Sequence, residues 1–196
     1  MASQKMPGES ATRAERAQRA QPAERESDFE AVFVEHYPRV YGALFRLVGD
    51  RAEAEDLTLE TFWRLWQRPP ETLRRPAAHG DDNLGGWLYR VAMRLGYNAL
   101  RGAKRRVRYE EQAGRDALER DAPPDPAHEV AQRQERERVR QMLRQMPERE
   151  AQLLILRHSG LSYKEVAAAL GVAPASVGTL LARAEAEFEK LWSSAK

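Results

Sequence analysis

The chain has 196 residues, enough for one large domain or two small ones, and its 32 Lys and Arg against 30 Asp and Glu give a formal net charge of +2. This near balance argues against a uniformly basic protein that coats nucleic acid, although it leaves room for local segregation of charge. Because the sequence contains no cysteine, it excludes a disulfide framework, a thiolate nucleophile and cysteine-ligated zinc or iron–sulfur sites.

The histidines and the apolar stretches of the sequence indicate neither a metal site nor a membrane segment. None of the four histidines lies within helical ligand spacing of another, so we predict no metal site, no cofactor and no catalytic residues. No stretch approaches 18 consecutive apolar residues, and the N-terminus lacks the apolar segment of a signal peptide. We therefore expect a soluble, cytoplasmic chain that does not insert into a membrane.

The N-terminal half predicts a tail followed by helices. Residues 1–27 have almost no large apolar side chains, which predicts a disordered tail. From Phe29 onward apolar side chains recur at steps of three and four, which indicates a helix with one face in a core. The same pattern predicts a second helix over about 52–67 and a third over about 86–108.

A change of composition then separates two halves of the chain. Acidic residues and three prolines predict a polar linker over 109–133, and helical periodicity resumes beyond it. Strand-like alternation is absent from the sequence. The predicted fold class is all-α, with an N-terminal helical bundle over 28–108 and a C-terminal helix-turn-helix over 134–192, joined by a flexible linker.

The second helix carries a second apolar stripe, formed by Leu59, Trp63 and Trp66 beside Asp56 and Glu60. Large exposed aromatic side chains anchor many protein interfaces, which favours a partner surface. Packing of a tryptophan against the first helix explains the stripe equally well, and both interpretations stay open. A remote alternative is a metal-dependent nuclease that uses the acidic residues at the helix start, but no base, nucleophile or phosphate-binding loop accompanies them.

The third helix concentrates the positive charge of the chain. Between Leu84 and Arg108 there are seven basic residues and no acidic one. Basic, amide and aromatic side chains follow one face of the predicted helix: Trp87, Arg90, Arg94, Asn98, Arg101 and Arg105. Such a face suits a single nucleic-acid strand, because guanidinium groups neutralise phosphates and rings accept unstacked bases. The alternative is a solvated basic face without a ligand.

The C-terminal half has the spacing of a DNA-binding helix-turn-helix. Ser162 and Glu165 predict a capping box, and Gly171 predicts the turn before the last helix. The outer face of that helix offers Ser176, Thr179 and Arg183 to a major groove, and the preceding helix places three residues for phosphate contact, Ser162, Tyr163 and Lys164. A generic helical hairpin is the alternative.

Three segments in series carry a family resemblance: AEDLTLETFWRLW at 54–66, WLYRVAMRLGYNALR at 87–101, and PEREAQLLILR at 147–157 with GLSYKEVAAALG at 160–171. In this order they resemble the bacterial extracytoplasmic-function (ECF) RNA polymerase sigma factors. The resemblance implies a non-enzymatic subunit that binds core RNA polymerase, recognises promoter DNA, helps to melt it and initiates transcription. It leaves open an anti-sigma factor as a further partner.

The resemblance also implies a role for each surface. The second helix would dock on the polymerase clamp through Asp56, Leu59, Glu60 and Trp63. The third helix would bind the melted minus-ten strand through the six residues of its basic face, and the helix-turn-helix would read the minus-35 element. A rival hypothesis is a helix-turn-helix regulator that binds duplex DNA without entering polymerase, but it leaves the stripe containing Leu59 and Trp63 unexplained.

Overall fold

The computed structural model of the chain describes residues 13–70, 84–112 and 127–194. Within these ranges the chain forms seven α-helices, one short 3₁₀ helix and no β-strand, so the all-α prediction is confirmed. The parts of the predicted tail and linker at 1–12 and 113–126 lie outside the described residues, as does most of the loop after the second helix.

The helices follow one another in two groups. The N-terminal group consists of α1 (Arg13–Val48), α2 (Arg51–Gln67) and α3 (Leu84–Gln112). The C-terminal group consists of α4 (Ala127–Gln145), α5 (Glu148–His158), α6 (Tyr163–Leu170), the 3₁₀ helix Pro174–Ser176 and α7 (Val177–Ser194).

The boundaries of the helices differ from the sequence prediction at three places. Helix α1 already begins at Arg13, inside the predicted disordered tail, and α3 and α4 extend into the predicted linker as far as Gln112 and from Ala127. These extensions are rich in Ala, Arg, Glu and Gln, which have high helix propensity, and adding residues to an existing helix is far easier than nucleating a new one. The sequence prediction rested on the scarcity of large apolar residues and took no account of helix propensity.

The chain divides into one unit over residues 1–36 and a second over residues 37–196. In the first, the described backbone is the helical start of α1, where the rings of Phe29 and Phe33 lie 6.2 Å apart. The second unit contains the end of α1 and all the other helices.

The end of α1 packs with α2 and α3 around a core that contains Leu44, Phe62, Leu88 and Tyr89, all at most 1% exposed. Asp50 begins α2 by accepting a hydrogen bond from the backbone N–H of Glu53 at 2.8 Å. Helix α3 lies close to α1 at Gly96, where a β-carbon would come within 2.5 Å of Leu47 Cδ2. This packing fixes which face of α2 and which face of α3 reach solvent.

The C-terminal helices pack around α5, which buries Ala151 and the four residues of 153–156. Helices α6 and α7 contribute further buried side chains, among them Val166, Ala167, Val177 and Ala184. Among the described residues no single helix is long and apolar enough to cross a membrane; α6 and the segment 174–194 meet that length and composition test only together, bent by 105°.

Candidate protein-binding and nucleic-acid surfaces

The surface proposed for a protein partner lies on the outer side of α2. Asp56, Leu59, Glu60 and Trp63 follow one face of this helix, and we call them the acidic-apolar surface. Leu59 is 47% exposed and Trp63 is 53% exposed, whereas Phe62 and Leu65 on the opposite face are buried. The structure thus leaves two large apolar side chains in contact with water beside two carboxylates.

The two tryptophans of α2 differ in burial. Trp66 is half-buried and Trp63 is exposed, so the exposed apolar stripe ends at Trp63. Within the surface, the carboxylate of Glu60 pairs with Arg64 at 2.8 Å, one turn along the same helix. Because both side chains are more than two-fifths exposed, this pair adds little to stability.

The basic face of α3 begins at Trp87, which is half-buried, and its other five side chains are all exposed: Arg90, Arg94, Asn98, Arg101 and Arg105. The opposite side of the helix buries Leu88, Ala92 and Leu95. Helical periodicity therefore predicted correctly which side of α3 reaches solvent. The charge carried by that side is uncompensated within the helix as far as Arg108.

The end of the basic face borders an open cleft of about 990 Å³, lined by Asn98, Arg101, Lys104, Arg105, Val107 and Arg108. Four of the six lining residues are cationic, and Val107 is 47% exposed among them. A groove that combines guanidinium groups with apolar surface suits a strand whose phosphates and bases need different partners.

Two arginines of the basic face are engaged by the C-terminal helices. The guanidinium of Arg90 donates hydrogen bonds to the backbone carbonyls of Ala168 and Ala169, at the end of α6. The guanidinium of Arg101 pairs with the carboxylate of Glu148 at 2.9 Å, at the start of α5. Arg94 makes no hydrogen bond or ion pair with any residue that the structure describes.

Tyr97 lies beside the same contact and donates a hydrogen bond to the backbone carbonyl of Glu148 at 3.3 Å. Burial raises the pKa of Tyr97 above its usual value, the charge of Glu148 raises it further, and Arg101 opposes both. The phenol therefore remains a neutral hydrogen-bond donor across the physiological range.

The helix-turn-helix has the local geometry that its sequence predicts. The hydroxyl of Ser162 accepts from the backbone N–H of Glu165 at 3.3 Å, and the Glu165 carboxylate accepts from the N–H of Ser162 at 2.7 Å, which confirms the capping box. Gly171 ends α6 with a φ of 65°, in the left-handed region that favours glycine. Val177 is fully buried, and Leu180 is half-buried.

The predicted DNA-contact residues of this motif all reach solvent. Ser176, at the end of the 3₁₀ helix, and Thr179 and Arg183, in the first two turns of α7, are exposed, and so are Ser162, Tyr163 and Lys164 at the start of α6. The Tyr163 ring also carries the Arg157 guanidinium 5.7 Å from its centroid. Tyr163 lies close to the start of α7, since a β-carbon at Gly178 would come within 3.7 Å of its ring.

Sequence reasoning missed the residues that hold α3 against the C-terminal helices. Glu148 lies at the start of α5, and its partner Arg101 lies 47 positions away in the sequence. A second long-range pair joins Arg39 of α1 to Glu165 of α6 at 4.0 Å. No periodic pattern in the sequence signals pairs of this separation. Within the described ranges, no three His, Asp or Glu side chains are grouped closely enough to hold a metal ion.

Two family models match the chain in the order in which its helices occur. The model for Sigma-70 region 2 matches residues 32–106, and the model for Sigma-70, region 4 matches residues 136–188. The first match contains α2 and most of α3, and the second contains the helix-turn-helix. Each candidate surface therefore falls inside a matched region.

Individual relatives agree with these models. The ECF RNA polymerase sigma factor SigE of Mycolicibacterium smegmatis is 32% identical over 76% of this chain, which spans about half of SigE, 54% of its length. The RNA polymerase sigma factor CarQ of Myxococcus xanthus is 30% identical over 83% of this chain and 86% of CarQ. Among solved structures, the sigma factor RpoE bound to the anti-sigma factor NepR from Bartonella quintana shares the fold, with a TM-score of 0.55, 20% identity, and 85% of this chain and 97% of RpoE covered.

Proposed function

Because the chain belongs to the ECF sigma factor family, we propose that it is a dissociable subunit of RNA polymerase that directs promoter recognition, DNA melting and the start of transcription. In this role it supplies binding surfaces and performs no catalysis of its own. Its place of action is then the cytoplasm, where polymerase meets the chromosome.

The acidic-apolar surface is proposed to bind core polymerase. The observation that carries the proposal is the exposure of Leu59 and Trp63 beside Asp56 and Glu60, because large exposed apolar side chains are typical of protein interfaces. Binding of duplex DNA alone leaves this surface unexplained. The clamp of the polymerase is the docking site that the family resemblance implies.

The basic face of α3 is proposed to hold the melted minus-ten strand. Arg90, Arg94, Arg101 and Arg105 supply charge for phosphates, Asn98 supplies an amide for a base edge, and Trp87 supplies a ring for stacking. The adjoining cleft beside Val107 has room for unstacked bases. Binding of one strand and not the duplex favours melting, because it removes that strand from pairing.

The helix-turn-helix is proposed to read the minus-35 element in duplex form. Ser176, Thr179 and Arg183 would face base edges, while Ser162, Tyr163 and Lys164 would contact phosphates. This division separates duplex recognition by α7 from strand capture by α3. A protein that covers one of these faces would act as an inhibitor, which is how an anti-sigma factor would work on this chain.

The test is reconstitution with purified bacterial core polymerase. We expect the chain to co-elute with core enzyme in gel filtration and to support run-off transcription from promoter fragments selected by the holoenzyme. Failure to form holoenzyme would refute the proposal. A chain that binds duplex DNA but leaves core enzyme unbound would instead be a helix-turn-helix regulator.

A further inference from the structure

A small cavity of about 180 Å³ lies between α3, α5 and α6. Of the described residues that line it, four carry ionised side chains: Arg90, Arg94, Arg101 and Glu148. The larger cleft at the end of the basic face shares only Arg101 with this lining. We infer that the cavity is a binding site for a free phosphate-type dianion, a small ligand that the proposed function does not assign.

The charge of the cavity matches such a ligand. Three arginines and one glutamate leave an excess of two positive charges among the described side chains that line it. Guanidinium groups stay protonated in proteins, so this excess persists across the physiological pH range. A terminal phosphate carries close to two negative charges near pH 7. A phosphodiester of a nucleic-acid backbone carries one, so it would leave half of the excess uncompensated.

The cavity also offers more hydrogen-bond donors than the described residues use. A guanidinium carries five N–H donors. Arg90 donates two of these to backbone carbonyls at the end of α6, and Arg101 donates two to side chains on α3 and α5. Arg94 makes no hydrogen bond or ion pair with any residue that the structure describes. Its donors are therefore available for the oxygens of a phosphate, which accept charge-assisted hydrogen bonds from arginine.

The start of α5 adds donors to the same place. Helix α5 begins at Glu148, on the wall of the cavity, and Pro147 before it provides no side-chain cap. The first N–H groups of a helix have no partner within the helix, and the helix dipole favours an anion beside them. The Gln152 amide also lines the cavity and donates one hydrogen bond to Glu148 at 3.2 Å, which leaves its second N–H. Among the described lining residues, only the Glu148 carboxylate carries a charge that opposes an anion.

The volume of the cavity limits the size of the ligand. Pockets for drug-sized molecules typically have about 300–1,000 Å³, and this cavity is smaller. It therefore suits inorganic phosphate or a single terminal phosphate group, and it has no room for a whole nucleotide.

Calorimetric titration of the full chain with inorganic phosphate tests the inference. A pH of about 8 keeps the phosphate doubly charged, and sodium chloride holds the ionic strength constant. Arg94→Gln should weaken phosphate binding by about tenfold, because it removes a charged donor from the cavity. Glu148→Gln should tighten binding by about two- to fivefold, because it removes the opposing charge. Arg149→Gln is the matched control and should leave binding unchanged, since Arg149 is exposed beside Glu148 and does not line the cavity.

A second titration separates a free dianion from the backbone of a nucleic acid. Dimethyl phosphate is a singly charged diester, and we expect it to bind about fivefold more weakly than inorganic phosphate. Dimethyl phosphate that bound as tightly as inorganic phosphate would overturn the inference, as would a parent chain that bound no phosphate. Equal losses in Arg94→Gln and Arg149→Gln, or weaker binding in Glu148→Gln, would also overturn it. These titrations contain neither polymerase nor DNA, so their outcome is independent of the proposed function.

Discussion

Gly96 offers the sharpest test of how α3 is positioned. A β-carbon at this site would lie 2.5 Å from Leu47 Cδ2 and 3.1 Å from Leu44 Cδ2, on the neighbouring helix α1. Both leucines are buried, Leu44 fully and Leu47 at 5% exposure, so neither can move aside without disturbing the core. Gly102, six positions along α3, has no atom within 4 Å of the same hypothetical carbon.

The two glycines therefore predict opposite effects of the same substitution. Gly102→Ala gains helix propensity without a clash and should stabilise the protein by about 0.5–1 kcal/mol. Gly96→Ala gains the same propensity but crowds a close-packed interface, at a cost of about 1–3 kcal/mol. We expect Gly96→Ala to be less stable than Gly102→Ala by about 1–3 kcal/mol, the crowding term alone.

Urea unfolding followed by circular dichroism gives the free energy of unfolding of both variants and of the parent chain. The measurement should use equal protein concentrations and include the slope against urea, since a changed slope would signal a changed unfolded state. If Gly96→Ala proved as stable as Gly102→Ala, the close approach of α1 and α3 at Gly96 would be refuted.

Three further predictions concern the two surfaces and the core. Trp63→Ala should weaken binding to core polymerase by roughly 30-fold, as expected for an aromatic anchor worth about 2 kcal/mol. Gln67→Ala on the same helix should leave binding unchanged, and equal effects of the two substitutions in a fluorescence titration would argue against the acidic-apolar surface. The logarithm of the affinity for single-stranded DNA falls with the logarithm of the salt concentration, and Arg94→Gln should reduce the slope of this dependence by about 0.7. An equal reduction in Arg149→Gln would show that DNA binding depends only on the net charge of the protein. Burial raises the pKa of Tyr89 from 10.0 to about 12, so the free energy of unfolding should fall as pH rises from about 10 to 12. Tyr89→Phe should lessen that fall and should raise stability at pH 7, because the phenol oxygen has no hydrogen-bond partner among the described residues. A destabilised variant would contradict this reasoning.

Local patterns in the sequence predicted the helices and their exposed faces. Ser162 and Glu165 form the predicted capping box, and Arg94 and Arg105 reach solvent on the face that helical periodicity indicates. These successes share a cause, because each depends on residues three or four positions apart within one helix. The roles of the exposed residues remain predictions that the reconstitution will test.

Two things could not be predicted in this way. The helical start of α1 depends on propensity and not on apolar periodicity, so a search for apolar residues overlooks it. The pair of Arg101 and Glu148 depends on how α3 and α5 approach in space, and a surface pair contributes too little to leave a pattern in composition. Knowledge of the basic face alone gave no indication that part of it is already occupied.

The separation of Arg90 from its carbonyl partners in α6, 78 and 79 positions along the chain, has a consequence for the order of folding. Contacts between residues far apart in sequence form late, because a long loop must close before they stabilise anything. During synthesis the N-terminal helices leave the ribosome before α6 exists, and domains generally fold in that order. We therefore expect Arg90 and Arg101 of the nascent chain to lack their partners in α5 and α6 until the last third of the protein has been made.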